Sequence, residues 1–142
     1  MINLILNNDN IVINIHFAST AVMVGVIWVI QLLHYPTFHY IEKNNYSQFQ
    51  KFHMNRISYI VIPAMVIEML SGIMLVIIND NFMISFSLLV CIWIITFVFF
   101  TNIHQRLLSK YENTAVEKLV NLNWIRTVFW TVRLVILFII NI

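Results

Sequence analysis

The sequence predicts an all-α fold, a bundle of four transmembrane helices running up-down-up-down as one integral membrane domain over residues 1–142. Three observations carry this reading. First, the chain is 61% hydrophobic and only 10% charged, with a mean hydropathy of +0.85. A water-soluble domain carries about 25% charged residues to coat its surface. Second, the apolar residues gather into four runs, 11–33, 57–78, 82–101 and 124–140. Each is close to the ~20 residues that cross the hydrocarbon core of a bilayer. Third, apart from Arg126 and Arg133, every Lys and Arg lies between runs one and two or between runs three and four.

Taken in order, the elements are helices over about 11–34, 47–78, 82–110 and 115–141. The first run is too long for a signal-peptide core and no basic residue precedes it, so no cleavage is expected. Pro36 ends helix one. Ser47 with Gln50, and Thr114 with Glu117, read as capping boxes that start helices two and four. Asn79, Asp80 and Asn81 form the tight turn between helices two and three. Helix three continues past Thr101 through His104 towards Lys110, so helices 2–4 extend into the cytoplasm. Lys43, Lys51 and Arg56 in one interval, and Arg106, Lys110 and Lys118 in the other, place both long loops inside and both termini outside. The Asn- and Ile-rich composition fits an AT-rich genome and so a bacterium, whose inner membrane is the expected location.

Several function classes drop out. A formal charge of +2 is too small to draw nucleic acid. The single Cys91 excludes an intrachain disulfide and a Cys-based zinc framework, and its place within an apolar run suggests inert packing. No phosphate-cradling glycine loop and no nucleophile elbow is present.

The informative residues are those a bilayer makes expensive. Glu68 sits near the middle of helix two and Arg133 near the middle of helix four, and either charge alone would cost several kcal/mol. Pairing, or protonation of Glu68, is the expected remedy, with the two residues acting as a register-fixing bridge or as a proton-handling or ligand-binding pair in a cavity. Arg126, Trp130 and Arg133 share one face of helix four. Ala64, Glu68, Ser71 and Gly72 form a small-residue face on helix two, where a neighbouring helix or a flat cofactor can come close. Pro63 is expected to kink that helix and open a pocket. Trp124 reads as an interfacial anchor.

Of the five histidines, His16 and His34 share a face of helix one but stand ~27 Å apart, so they cannot hold one metal. His34, His53 and His104 fall at one level on three helices, near the cytoplasmic end, and Arg126 reaches that level. Three imidazoles suit Zn, Fe or Cu, and one or two suffice for haem. The plain alternative is interfacial histidines bonding headgroups and helix-end carbonyls. His39 lies in the loop and is expected to be solvated.

The strings Trp28-x-x-Gln31-x-x-His34-Tyr35-Pro36, Phe49-x-x-x-His53-x-x-Arg56, Pro63 with Glu68, and Asn123-Trp124-x-Arg126-Thr127-x-x-Trp130-x-x-Arg133 resemble a family of small uncharacterised bacterial integral membrane proteins. The resemblance runs from His16 to Arg133 and implies a four-helix membrane fold. More distantly, the architecture is similar to the bacterial membrane protoporphyrinogen oxidase and to copper-resistance D-type proteins, and that similarity implies a haem-ligand role for His16. The oxidase pattern has Pro-Arg after its first helix, whereas Pro36 here precedes Thr37. In size and topology alone the chain is also similar to small anthrone-type oxygenases.

The leading expectation is a membrane redox protein that binds haem or a transition metal and acts on a lipophilic substrate. His34, His53 and His104 are its candidate metal ligands. His16, His34, Arg126 and Trp130 are candidate cofactor-binding residues, and Glu68 and Arg133 candidate catalytic groups. The alternatives are a non-catalytic membrane binding or transport protein, as a homodimer for instance, and an accessory subunit of a larger membrane complex.

Overall fold

A computed structural model describes the backbone of residues 2–141 and the side chains of residues 10–140. Among the described residues every regular element is a helix, joined by short irregular links, with no strand. Four helices are long and apolar enough to cross a membrane: α1 (Asn10–Tyr40), α2 (Tyr46–Ile78), α3 (Asp80–Ser109) and α4 (Asn113–Ile140). The backbone of α1 is already helical from Ile2. At ~1.5 Å per residue, even the shortest is longer than the ~30 Å hydrocarbon core.

The burial pattern is the reverse of a soluble protein's. Gln31, Gln50, Glu68, Asn123 and Arg133 are buried, while Leu33, Leu70, Ile77, Ile84 and Ile139 are well exposed. Charged and amide side chains are almost never fully buried in water-soluble proteins unless paired. Against lipid the apolar exterior carries no penalty, and polar side chains gain by turning towards one another. Hydroxyls inside the spans return their protons to the preceding turn: Ser71 donates to Ile67 O, Thr96 to Ile92 O and Thr127 to Asn123 O. Such bonds satisfy a hydroxyl where no water can.

Three apolar layers fill the interior. One contains Ile30, Tyr35, Phe38, Tyr46, Phe100 and Leu119. The middle layer is built on Met23, Ile27, Ala64, Ile92 and Trp130, and the third on Leu75, Phe82 and Leu137.

Several local expectations change. Pro36 does not end α1. The helix widens into a π turn over Ile30–His34, where the Tyr35 N–H reaches back to Ile30 O, and then continues through Tyr35–Thr37 and a 3-10 turn at Phe38–Tyr40. Proline has no N–H and crowds the carbonyl four residues back, here Leu32, and the wider turn accommodates both. A second π turn, Thr96–Phe100, interrupts α3. The Ser47 capping box does not form, because the helix is already under way at Tyr46 and the Ser47 hydroxyl donates across to Leu108 O at 2.5 Å. Nor does the Thr114 box form, since Glu117 accepts instead from Asn113 Nδ2 at 2.7 Å. α2 remains helical through Pro63. Cys91 is exposed, so it does not pack in the core. The Asn79 turn forms as expected, with Asn79 Oδ1 accepting from the Asn81 N–H at 3.0 Å.

Candidate functional site

Two polar clusters occupy the interior, with Trp130 and Arg126 between them. The first is built around Glu68 and Arg133, both fully buried. Arg133 NH1 donates to Glu68 Oε1 at 2.8 Å, and Trp130 Nε1 donates to Glu68 Oε2 at 3.1 Å. Arg133 Nε donates to Ser85 O at 3.1 Å. The remaining arginine nitrogen, NH2, faces His16 Nε2 at 3.4 Å. Each carboxylate oxygen therefore has a donor, as a charge removed from water requires.

His16 belongs to this network. Its Nδ1 lies 2.8 Å from Ser71 Oγ, whose only proton already goes to Ile67 O at 2.6 Å. Ser71 therefore accepts, Nδ1 carries the hydrogen, and Nε2 presents its lone pair to Arg133. Both ring nitrogens are engaged, which leaves neither free for an axial bond to haem. The ring is also held from the side, because a Cβ on Gly72 would stand 3.2 Å from His16 Cε1 and 3.0 Å from Phe86 Cδ2. Gly72→Ala is accordingly expected to destabilise the bundle by about 1–2 kcal/mol, read as an earlier transition in detergent-titrated unfolding. An unchanged transition would show that the ring has room to move.

The second cluster gathers the other histidines. His34 and His53 stack with ring centroids 4.2 Å apart and planes at 30°, and His104 lies 5.9 Å from His53. The π turn places His34 and Tyr35 on the inner side of α1, and His104 follows the π turn of α3 by one helical turn. Such bulges recur where a helix must re-aim functional side chains. His104 is bonded on both nitrogens: Gln50 Nε2 lies 2.6 Å from Nδ1, and the Tyr35 hydroxyl 3.5 Å from Nε2. His34 Nε2 is buried without a partner. His53 has no hydrogen bond among the described residues. His39 is exposed.

The donor chemistry of three imidazoles suits a transition metal, but their present arrangement does not. A metal lies in the plane of each ligating ring at ~2.0–2.1 Å from its nitrogen. Rings stacked face to face, as His34 and His53 are, share no such point nearby. Among the described residues, no group of three or more His, Cys, Asp or Glu side chains stands in metal-holding geometry.

Between the clusters lies Arg126, 6% exposed. Its guanidinium sits 4.3 Å from the centroid of the Phe100 ring and 5.1 Å from that of Trp130. Its one hydrogen bond among the described residues goes to Asn123 Oδ1 at 3.4 Å, and Nε is unpartnered. Aromatic faces stabilise a desolvated cation by about 2 kcal/mol. The sequence strings now acquire a physical sense. Asn123 Nδ2 donates to Gln31 Oε1 at 2.9 Å and Trp28 Nε1 to Thr131 Oγ1 at 3.1 Å, so the first and last strings tie α1 to α4. Trp124 packs edge-on against Trp28 at 5.8 Å.

A cavity of about 430 Å³ opens between α1 and α2. Its α1 wall runs from Gly25 to His34 and its α2 wall from Phe49 to Ile60, so His34 and His53 line one end. Val29, Phe52 and Ile60 at its edge are half or more exposed, so it opens on the apolar outer face. A Cβ on Gly25 would meet nothing within 4 Å. Sequence reasoning named the histidines but missed the cavity, Tyr35 and Gln50. It placed the pocket at Glu68, beyond Pro63, whereas this one ends at Ile60.

No family model, curated protein or solved structure matches the chain.

Proposed function

We propose that this protein is a multi-pass membrane protein of the bacterial inner membrane that takes a lipophilic small molecule from the bilayer and presents its polar head to the His34–His53 pair. The observation that carries the proposal is the cavity between α1 and α2, which opens where lipid chains would lie and ends on imidazoles. Pockets of ~300–1,000 Å³ with apolar walls and a few polar groups are typical small-molecule sites. His53 and the orphaned His34 Nε2 offer hydrogen-bonding capacity that the fold leaves unused.

On this reading the helices run up-down-up-down, with both termini outside and the histidine end cytoplasmic, as the Lys and Arg distribution favours. Glu68, Arg133 and His16 lock α1, α2 and α4 together, a structural task that their saturated hydrogen bonds support. Arg126 lies behind the histidines and gives this end of the interior a fixed positive charge.

The experiment is photolabelling in membranes with an alkyl diazirine probe. Labelling concentrated on the 25–34 and 49–60 walls is the expected result. Even labelling over all lipid-facing surfaces would remove the basis for a lateral site. A second reading, redox chemistry at a haem or metal held by His34, His53 and His104, is favoured by the donor set and requires the stacked rings to turn. It is tested by the absorbance spectrum and metal content of the purified protein, and the loss of both in His53→Phe is its expected signature.

A further inference from the structure

The cavity is chemically graded along its length. The Gly25 end is apolar on both walls, with Val26 and Val29 on α1 facing Ile57 and Ile60 on α2. At the other end stand His34, Phe49 and His53, and Arg56 lies between His53 and Ile57, one turn from His53 on the same face of α2. From Gly25 to His34 the helix rises about 13 Å. Arg56 is the one fixed charge lining the cavity, and no carboxylate lines it. Its guanidinium rests over the Phe52 ring, 5.4 Å from the centroid, and is exposed, with no carboxylate partner among the described residues. The Phe52 contact steadies the guanidinium at the mouth while its N–H groups stay unspent.

From this grading we infer that the cavity selects a single-chain amphiphile with a monoanionic head, a long-chain fatty acid carboxylate, over a neutral lipophile of equal length. The inference rests on the lateral site proposed above and names its substrate class. The carboxylate sits at Arg56 with the imidazole donors of His34 and His53 beside it, and the tail lies along the apolar walls towards Gly25. Arg56 is the one charged side chain on the cavity wall, so a carboxylate finds a partner there that the hydroxyl of a neutral lipophile does not use. A Cβ on Gly25 would meet nothing within 4 Å, so a tail has open space against the α1 wall there.

The test is binding of palmitate and of hexadecanol to the detergent-solubilised full chain, each measured by displacement of a fluorescent fatty acid. Three proteins are compared: wild type, Arg56→Gln and Gly25→Leu. The Arg56 side chain makes no hydrogen bond or ion pair among the described residues and a Cβ on Gly25 meets nothing within 4 Å, so both variants are expected to fold, which far-UV circular dichroism verifies. Palmitate should bind wild type more tightly than hexadecanol does and should bind Arg56→Gln about tenfold more weakly than wild type. Hexadecanol should bind wild type and Arg56→Gln alike, and Gly25→Leu should bind neither. Equal binding of the two ligands, unaffected by Arg56→Gln but lost in Gly25→Leu, would overturn the head-group assignment and leave the lateral site standing. Binding of both ligands unchanged in Gly25→Leu, or of neither to wild type, would overturn the site itself.

Discussion

Replacing Arg133 with Met is expected to destabilise the bundle by about 3–5 kcal/mol, because it leaves a buried carboxylate without its cation. Glu68 would keep only the Trp130 Nε1 hydrogen bond, on the oxygen that Arg133 does not use. His16 Nε2 would lose its donor as well, and Ser85 O its second one beyond the helical N–H. Detergent-titrated unfolding in mixed micelles reads this as a large shift of the midpoint. Combining Arg133→Met with Glu68→Gln should recover most of the loss, since a neutral amide still accepts from Trp130 and no lone charge remains. A double variant as unstable as the sum of the two single ones would show that the pair acts independently, contrary to the geometry.

Trp130→Ala carries the second large effect, about 3 kcal/mol. The indole is fully buried in the middle apolar layer, donates to Glu68 Oε2, and offers its face to Arg126. Truncation therefore opens a void, frees a carboxylate oxygen and strips one of the two aromatic faces from a buried cation. Trp130→Phe separates these contributions: it keeps a ring for packing and for Arg126 but removes the N–H, and should cost about 1 kcal/mol. If Phe proved as damaging as Ala, the hydrogen bond rather than the packing would dominate.

The membrane bundle was legible because hydrophobicity over ~20 residues is a strong and local signal. The Glu68–Arg133 pair was legible for a related reason: a lone charge at that depth is so unfavourable that a partner is nearly forced. The gathering of His34, His53 and His104 followed from counting residues along three helices, a register argument that needs no tertiary knowledge. Side-chain direction was the part that counting could not supply. Stacking of His34 on His53, rather than convergence of their nitrogens, depends on the π turn at Ile30–His34, which rotates everything after it. The only hint in the sequence was Pro36, read as a helix end although a proline can also be absorbed within a helix.

His16 shows a similar limit. Height separates it from the other histidines but does not name its partners, and the ring turns onto Ser71 and Arg133. The small-residue face of α2 carried a usable signal. Gly72 leaves room for rings to approach, and those of Phe86 and His16 lie against it. The lateral cavity left no trace in hydropathy, because it is a gap between two apolar walls and depends on Gly25 lacking a side chain. The short polar caps at Ser47 and Thr114 do not form because competing partners, Leu108 O on α3 and Asn113 at the start of α4 itself, lie far away in sequence or just outside the capping pattern.

The central claim, that the cavity between α1 and α2 holds a lipophilic molecule, is tested most directly by native mass spectrometry of the gently purified protein beside its Gly25→Leu variant. The added side chain has open space to enter, so it should occupy the cavity without disturbing α1. Wild type is expected to carry one small lipophile per chain and Gly25→Leu none. Identical spectra for the two proteins, whether both bare or both loaded, would contradict the claim.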